Sequence, residues 1–421
     1  MNARLGGVQA AALLLVLCAP PAALAIPAFA RRYGTSCQTC HVAFPKNTPF
    51  GEAFRRNAYR FPGGRDEDFR RIEPQKLGAD AYKDVFPDAV WPGELPAQVP
   101  LSIIVQANIA FASAEAGLNF AGLGGAVSLN AATTLGSRIS AWAGVTVSAA
   151  TTGPPSVSAE RIFMVFSAFD RPWLNIRAGR IEPGLFSFSG HRILGPAPWI
   201  TTATVGDSPF SLEPSHLGLE ATGLVLGRGA WSVGLVEGSG GFNVPKDLYA
   251  RVGWKFGGMR LDGEPSDGEL NLADPAPWRE WSVQVGGFGY LGQTAVGLPG
   301  VATQDDRVQM VGADVNAQLR DANLVVAWTL ARHRRPFLAT PDEGRDVHQL
   351  MAQLDYVVFP WLVPLARFEL SVQAGAVEQR IVAGVYASVR ANVRTSVLAQ
   401  LKQTAGRYEF DRVQAALSVG F

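Results

Sequence analysis

The feature that most constrains this chain is a two-residue alternation that recurs from about residue 101 to the C-terminus. In the closing stretch "RVQAALSVGF", Val413, Ala415, Leu417, Val419 and Phe421 are apolar, while Arg412, Gln414, Ala416, Ser418 and Gly420 are polar or small. Leu248, Ala250, Val252, Trp254 and Phe256 alternate in the same way with Tyr249, Arg251, Gly253 and Lys255. So do Val311, Ala313, Val315, Ala317 and Leu319 with Met310, Gly312, Asp314, Asn316 and Gln318. A period of two belongs to β-strands, because successive side chains point to opposite faces. In a soluble sandwich the apolar set would turn inward; in a membrane barrel it faces lipid and the polar set faces a wet lumen. The alternation by itself leaves both open.

The N-terminus and the composition favour the barrel. Arg4, the apolar run Ala10 to Leu17 and the small-x-small site Ala23-Leu24-Ala25 form a secretory signal over residues 1–25, so the mature chain starts at Ile26. A lipoprotein signal on Cys18 is the alternative, and Leu17 fits it poorly. Charged residues make up 17% and glycine 45 of 421 residues, whereas soluble domains carry about 25% charge. After the leader no run approaches the roughly 18 to 20 apolar residues of a membrane helix. The formal charge of +1 is balanced once Arg4 leaves, which argues against nucleic-acid partners.

Three parts follow the signal: a compact cysteine-bearing segment, 26–61; a Pro-, Gly- and charge-rich linker, 62–100; and a strand-rich region, 101–421. About sixteen strands fit the last part, an all-β, antiparallel transmembrane barrel of the bacterial outer membrane in contact with its lipid. Short turns at 169–173, 227–229, 320–323 and 359–364 fall at every second connection, and longer connections are expected between them. The acidic stretch 257–277 breaks that rule by falling on the short-turn side. The connection from Pro183 to His216 follows the fifth strand, the place where a porin's third outer loop folds into its pore, and it carries "FSFSGHRILGPAPW".

Both cysteines of the mature chain lie in "TSCQTCHVAF". Cys37-Gln-Thr-Cys40-His41 matches C-x-x-C-H, the attachment site of one covalent c-type haem. Two thiols at this spacing reach the two vinyl groups on one porphyrin edge, and His41 is then held beneath the iron as its proximal ligand. A thiol–disulfide motif expects a βαβ context, and a zinc knuckle needs further ligands nearby. After the motif, Thr48 is a candidate N-cap and Pro49 a first helical residue. Phe50, Phe54, Ala58 and Phe61 then share one helical face, expected to pack on the porphyrin; Arg55, Arg56 and Arg60 share another, expected either to reach a propionate or to be solvated.

Neither Met nor His occurs between His41 and Met164. A sixth iron ligand therefore has to come from the barrel, and the alternative is five-coordinate iron. His191 in the expected pore loop is the favoured distal ligand; His216, His333, His348, Met310 and Met351 are the others, with His333 and His348 expected to be solvated beside an outer loop.

The stretch "IPAFARRYGTSCQTCHVAFPKNTPFGEAFRRNAYRF" resembles the fused monohaem cytochrome–porin family of bacterial outer membranes, whose best-known members are iron-oxidising cytochromes. The likeness rests on the Pro-x-Phe-Ala-Arg lead-in, the C-x-x-C-H, and Phe50, Gly51 and Phe54 followed by Arg55, Arg56 and Tyr59; "GHRILGP" also looks like a family element. It implies one haem plugged at or in a barrel, moving electrons between an extracellular donor or acceptor, Fe(II) among them, and periplasmic carriers such as soluble c-type cytochromes. The corresponding enzyme reading is an Fe(II)–cytochrome oxidoreductase; the alternative is a porin or transport channel with a structural or gating haem. No acidic cluster stands out as an Fe(II) site. The apolar band of such a membrane is about 25 Å tall, too far for useful tunnelling through lipid, so a haem within the lumen would shorten both steps.

Overall fold

The computed structural model describes residues 28–62, 66–71, 75–79, 81–88, 94–95, 99–114, 117–151, 153–202, 204–212, 215–238, 246–264, 274–298, 301–340, 342–404 and 406–421. The expected signal, 1–25, lies outside the described residues. From Leu101 onward the chain forms one closed antiparallel barrel of sixteen strands. These are β1 Leu101–Ala114, β2 Gly117–Leu135, β3 Ile139–Ala150, β4 Gly153–Ser167, β5 Asn175–Ile181, β6 His216–Val225, β7 Gly229–Val236 and β8 Asp247–Gly257. The second half is β9 Trp281–Leu298, β10 Val301–Leu319, β11 Ala322–His333, β12 Arg345–Tyr356, β13 Leu362–Gln373, β14 Ala376–Arg390, β15 Val393–Thr404 and β16 Arg407–Gly420. Each strand pairs with its sequence neighbours, and β16 closes on β1 with Leu417 opposite Ala107. The terminal aromatic is part of this seam: the Phe421 N–H donates to Ile103 O at 2.7 Å and Phe421 O accepts from Ile103 N at 3.1 Å. Closure leaves no unpaired sheet edge, which the bilayer interior requires.

Sidedness decides between the two architectures that alternation allowed. On β8, Leu248, Val252, Trp254 and Phe256 are exposed, whereas Tyr249, Arg251 and Lys255 are buried. On β10, Val311 and Val315 are exposed while Met310 and Asp314 are buried. A soluble sandwich cannot bury its arginines and expose its valines at this density; a barrel in lipid does both. Exposed Phe169, Trp173, Phe256, Trp281, Tyr356, Phe359, Trp361 and Phe421 gather at the end where the barrel chain begins and finishes, forming the aromatic girdle of one membrane interface. That end carries the turns at 136–138, 226–228, 320–321 and 391–392 and is the periplasmic one by the rule of bacterial barrels.

Longer outer connections occur at 182–215, 237–246 and 334–344, but the expectation fails elsewhere: only two residues separate the strands at 115–116, 151–152, 299–300, 374–375 and 405–406. Length there goes into strands instead, with 19 residues in both β2 and β10 and 18 in β9. Continuing the ladder satisfies backbone groups that a loose loop would leave to water. The connection at 258–280 lies on the periplasmic side, as the strand count implied, and its described flanks pack inward with Leu261 and Trp278 buried.

Candidate functional site: a plug and an infolded loop meeting in the lumen

The segment ahead of the barrel is built from α1 Ala28–Tyr33, α2 Cys37–Cys40, α3 Pro49–Arg56 and α4 Asp66–Phe69. Ser36 caps α2, its Oγ accepting from Gln38 N at 3.3 Å, so the two cysteines sit on a single helical turn. His41 leaves that turn in extended backbone and pairs with Asn47 in a small antiparallel ribbon. Thr48 joins the two helices. Its N–H donates to Cys40 O at 2.9 Å, its Oγ1 donates to Thr39 O at 2.7 Å, and the same Oγ1 accepts from Gly51 N at 3.1 Å as the N-cap of α3. Gly51 permits this approach, because a Cβ there would lie 2.1 Å from Cys40 O.

The helix ends earlier than the pattern of aromatic residues implied. Asn57 is the C-cap, and Ala58 and Tyr59 have φ of 55° and 59°. Phe61 therefore returns over the helix from outside it. The aromatic face packs on the segment's own rings: Phe50, Phe54, Phe61 and Tyr33 form one buried cluster with Phe29 and Phe69 against it, and Phe61 stacks on Phe69 at 4.1 Å. Residues 66–71, the start of the expected linker, also belong to this cluster: buried Asp66 accepts from Tyr33 Oη at 2.5 Å, Phe61 N at 3.0 Å and Arg70 Nε at 3.0 Å.

The segment is bolted inside the periplasmic mouth. Ser140 Oγ donates to Ala58 O at 2.5 Å, Asn175 Nδ2 to Arg56 O at 2.9 Å, Arg60 to Ile139 O at 2.7 Å and Asn57 Nδ2 to Asp262 O at 3.0 Å. Lys46 Nζ donates to Asn323 Oδ1 at 2.7 Å and pairs with Asp355, and Gln38 Nε2 donates to Pro360 O at 3.1 Å. Tyr59 stacks on Trp142 of β3 at 5.7 Å. Val42 and Ala43 join a buried cluster with Val363, Leu365, Val382 and Tyr386 of the wall. The arginines are accordingly not solvated. Arg60 is tied to the wall and Arg55 pairs with Glu52 at 2.8 Å; of the two expectations, propionate contact or solvation, the barrel around the helix removes full solvation for these two.

From the other side the 182–215 connection folds in as expected of a third loop. Its backbone is held by lumen side chains: Gly184 N donates to Glu220 Oε2 at 3.0 Å, Ser187 N to Asp314 Oδ2 at 3.0 Å, Gly195 N to Tyr386 Oη at 2.9 Å and Trp199 N to Glu369 Oε1 at 3.1 Å. Leu185, Phe186, Phe188, Ile193, Ile200, Phe210 and Leu212 of the loop share one buried cluster with Phe163, Phe288, Met310 and Met351 of the wall. Loop and plug meet directly: Arg192 lies 3.5 Å from Glu52 and 3.3 Å from Glu182, and Leu194 packs in the cluster that holds Val42 and Ala43. Burial by itself would raise the Glu52 carboxyl, but Arg55, Arg192 and Arg56 outweigh it and hold it well below the usual carboxylate range.

Within this assembly Cys37 and Cys40 form no disulfide. Burial pushes the Cys37 thiol up and the Cys40 thiol up to about 12. Burial pushes the His41 imidazole down to about 4, so it is neutral at physiological pH, and its Nδ1 is buried without a hydrogen-bond partner. Among the described residues no group of three or more His, Cys, Asp or Glu side chains is placed to hold a bare metal ion. Two thiols on one turn with a neutral histidine beside them are instead the donor set that suits a covalently attached haem.

The distal candidates separate. His191 lies in the infolded loop with Nε2 buried and unpartnered, near Glu182, while the ring beside His41 is Phe44 at 5.1 Å. His216, at the start of β6, is buried with Nε2 also unpartnered. His333 is not solvated: it is buried, its Nδ1 lies 2.6 Å from Asp306 Oδ2, and Phe210 of the infolded loop packs edge-on to it at 5.7 Å. The loop covers a position that reads as exposed in sequence. His348 is exposed, on the outer face beside Trp328. Met310 and Met351 are buried in the lumen wall. The Arg192–Glu52 junction is the part that sequence reasoning missed; the charged pair is visible in the chain, but its closure needs both segments folded inward.

No family model matches this chain, and no curated protein is similar to it. Solved structures do match in shape. The chain is similar to an anion-selective porin from Comamonas acidovorans (TM-score 0.54, 13% identity, 76% of this chain and 98% of that one). It is similar also to the outer-membrane channel DcaP of Acinetobacter baumannii (TM-score 0.52, 9% identity, 76% and 96%) and to Salmonella typhi OmpF in complex with daunomycin (TM-score 0.51, 11% identity, 76% and 94%). The sixteen-stranded closed barrel with its lipid-facing apolar belt is therefore a porin-like outer-membrane barrel.

Proposed function

We propose that Cys37 and Cys40 carry one haem c, with His41 as an iron ligand, and that the protein moves electrons between an extracellular redox partner and periplasmic carriers such as soluble c-type cytochromes. The observation that supports this most is that the C-x-x-C-H turn is fixed inside the barrel mouth rather than carried on a free arm, through Gln38, Lys46 and the Val42–Ala43 contact, with Thr48 tying it to α3. When bound, the haem supplies a one-electron centre; the chain's part is to orient His41 neutral and buried, and to exclude water with the aromatic cluster and the infolded loop. His191 is the favoured distal ligand within this reading. Fe(II) is one donor class.

The decisive measurement uses the full chain displayed in a haem-maturing host, with covalent haem staining and a visible spectrum recorded in intact cells as Fe(II) is added. Absence of covalent haem in the folded wild type, or its persistence in Cys37→Ala/Cys40→Ala, refutes the haem assignment. Haem that stays oxidised with Fe(II) yet reduces with dithionite removes iron as the donor. His191→Ala is expected to abolish low-spin character; an unchanged spectrum eliminates that ligand.

A second reading, a solute channel, is favoured by the solved structures of similar shape, two of which are described as a porin and a channel. The plug and the infolded loop occupy the lumen, which weighs against wide passage. Planar-bilayer recording separates the two: steady conductance of porin size through the wild-type protein supports the channel, and conductance appearing only when the plug is removed supports the conduit.

A further inference from the structure

A partly open pocket with a cavity volume of about 50 Å³ lies between the C-terminal end of α3 and the wall formed by β4, β5 and β6. Arg55, Arg56, Tyr59, Asn175, Arg177, Glu220 and Thr222 are among its lining residues. The neighbouring cations each have a carboxylate. Arg55 has Glu52 at 2.8 Å, Arg177 has Glu220 at 2.6 Å, Arg192 has Glu182 at 3.3 Å, Lys255 has Glu280 at 2.6 Å, and Arg251 pairs with Asp314. Glu220 offers no spare charge, since it also accepts from Tyr249 Oη at 2.5 Å and Gly184 N at 3.0 Å. Arg56 is the exception. Its guanidinium makes no ion pair or hydrogen bond among the described residues, its Nε is buried without a partner, and the charges acting on it are those of Arg55, Arg251 and Arg192, opposed by the Glu52 carboxylate that already pairs with Arg55. Burial and the adjacent Arg55 charge push it down to about 9. A half-buried guanidinium with no ion pair and an unpartnered Nε is costly, and a planar fork lining a pocket is the donor geometry that carboxylates and phosphates fit.

We infer that Arg56, supported by Arg55 and Arg177, is an oxoanion-binding site in the lumen, taking a carboxylate or phosphate group. The anion has two sources: a small solute anion, or a carboxylate of a covalently attached haem. Only the second rests on the haem reading above.

Inorganic phosphate is titrated calorimetrically, in low-chloride buffer, into the full-length protein folded in detergent as wild type, Arg56→Gln, Arg56→Lys and Cys37→Ala/Cys40→Ala. Saturable binding to the wild type, weakened about tenfold or more by Arg56→Gln and less by Arg56→Lys, assigns the site to free anions; the size follows from losing one charge-assisted hydrogen-bonding partner. Binding seen only in the Cys37→Ala/Cys40→Ala protein, and lost again when Arg56→Gln is added, assigns it to a haem carboxylate. No saturable binding in either background, or binding indifferent to Arg56→Gln and Arg56→Lys, overturns the site. Failure of the haem reading shows separately, as wild-type protein without covalent haem stain, and leaves the phosphate titration readable. Arg56→Lys retains the charge, so it keeps the test open if Arg56→Gln does not give a heat-modifiable folded barrel.

Discussion

Gly51 gives the most direct test of how the plug is built. Glycine inside a helix is ordinarily a weak point, and replacing it with alanine should stabilise α3 by about 0.5–1 kcal/mol. The structure reverses that sign. An added Cβ would stand 2.1 Å from Cys40 O and 2.9 Å from Cys40 C, against an ordinary contact of 3.4 Å, so helix and C-x-x-C-H turn must separate by about 1.3 Å. Neither atom is the end of a flexible side chain. Separation stretches the 2.9 Å bond from Thr48 N to Cys40 O and the 2.7 Å bond from Thr48 Oγ1 to Thr39 O beyond useful range. At about 1 kcal/mol for each lost bond and about 1–3 kcal/mol for overpacking, less the helix gain, Gly51→Ala weakens plug docking by roughly 2–4 kcal/mol. Opening of the plug then rises by roughly two orders of magnitude, which limited proteolysis of the 28–62 segment reads, because cleavage follows the open population. The barrel should keep its heat-modifiable migration, since its ladders do not pass through the plug. Gly289→Ala, with nothing within 4 Å of its Cβ, is the neutral control. Protection of the segment equal to or greater than wild type would refute this account of the junction.

Other expectations follow from the same contacts. Thr48→Ala removes the α3 cap and the bond to Thr39 O, and should weaken the plug by about 1–2 kcal/mol in the same proteolysis assay, with no change in the barrel transition. Because the folded Glu52 carboxyl titrates below its ordinary value of 4.5, its contribution to the plug–loop junction is fully present above that value and is lost as pH falls below it towards the folded one. Plug protection should therefore hold from pH 7 to about 5 and decline below about 4.5, while Glu52→Gln starts weaker at pH 7 and loses part of that decline; an unchanged acid profile counts against the Arg55–Glu52–Arg192 cluster. Val252→Arg, on the outer face of β8, should destabilise the barrel in vesicles by about 2–4 kcal/mol, whereas Leu226→Arg in a periplasmic turn should cost about 0–1 kcal/mol; equal effects would contradict the lipid-facing belt.

The strand-rich region was legible because its information is local. A period of two over β8 or β10 needs only neighbouring residues. The sidedness of those strands was not local: whether Val252 or Arg251 faces outward depends on closure of β16 against β1, which sequence spacing does not encode. Connection lengths erred for a related reason, since a strand that outlasts the membrane looks like a loop in composition.

Sequence alone determined the C-x-x-C-H grouping of Cys37, Cys40 and His41, the Thr48–Pro49 helix start and a third outer connection long enough to fold inward. Tertiary structure decided where helix α3 stops, that Arg55 and Arg60 are half-buried and bonded to the protein, and that His333 lies under Phe210 rather than in water. It also brought Glu52 and Arg192, far apart in the chain, to 3.5 Å. The physical reason is the same throughout: periodicity and capping act within a few residues, whereas burial of a charge is settled only when the lumen has been closed around it.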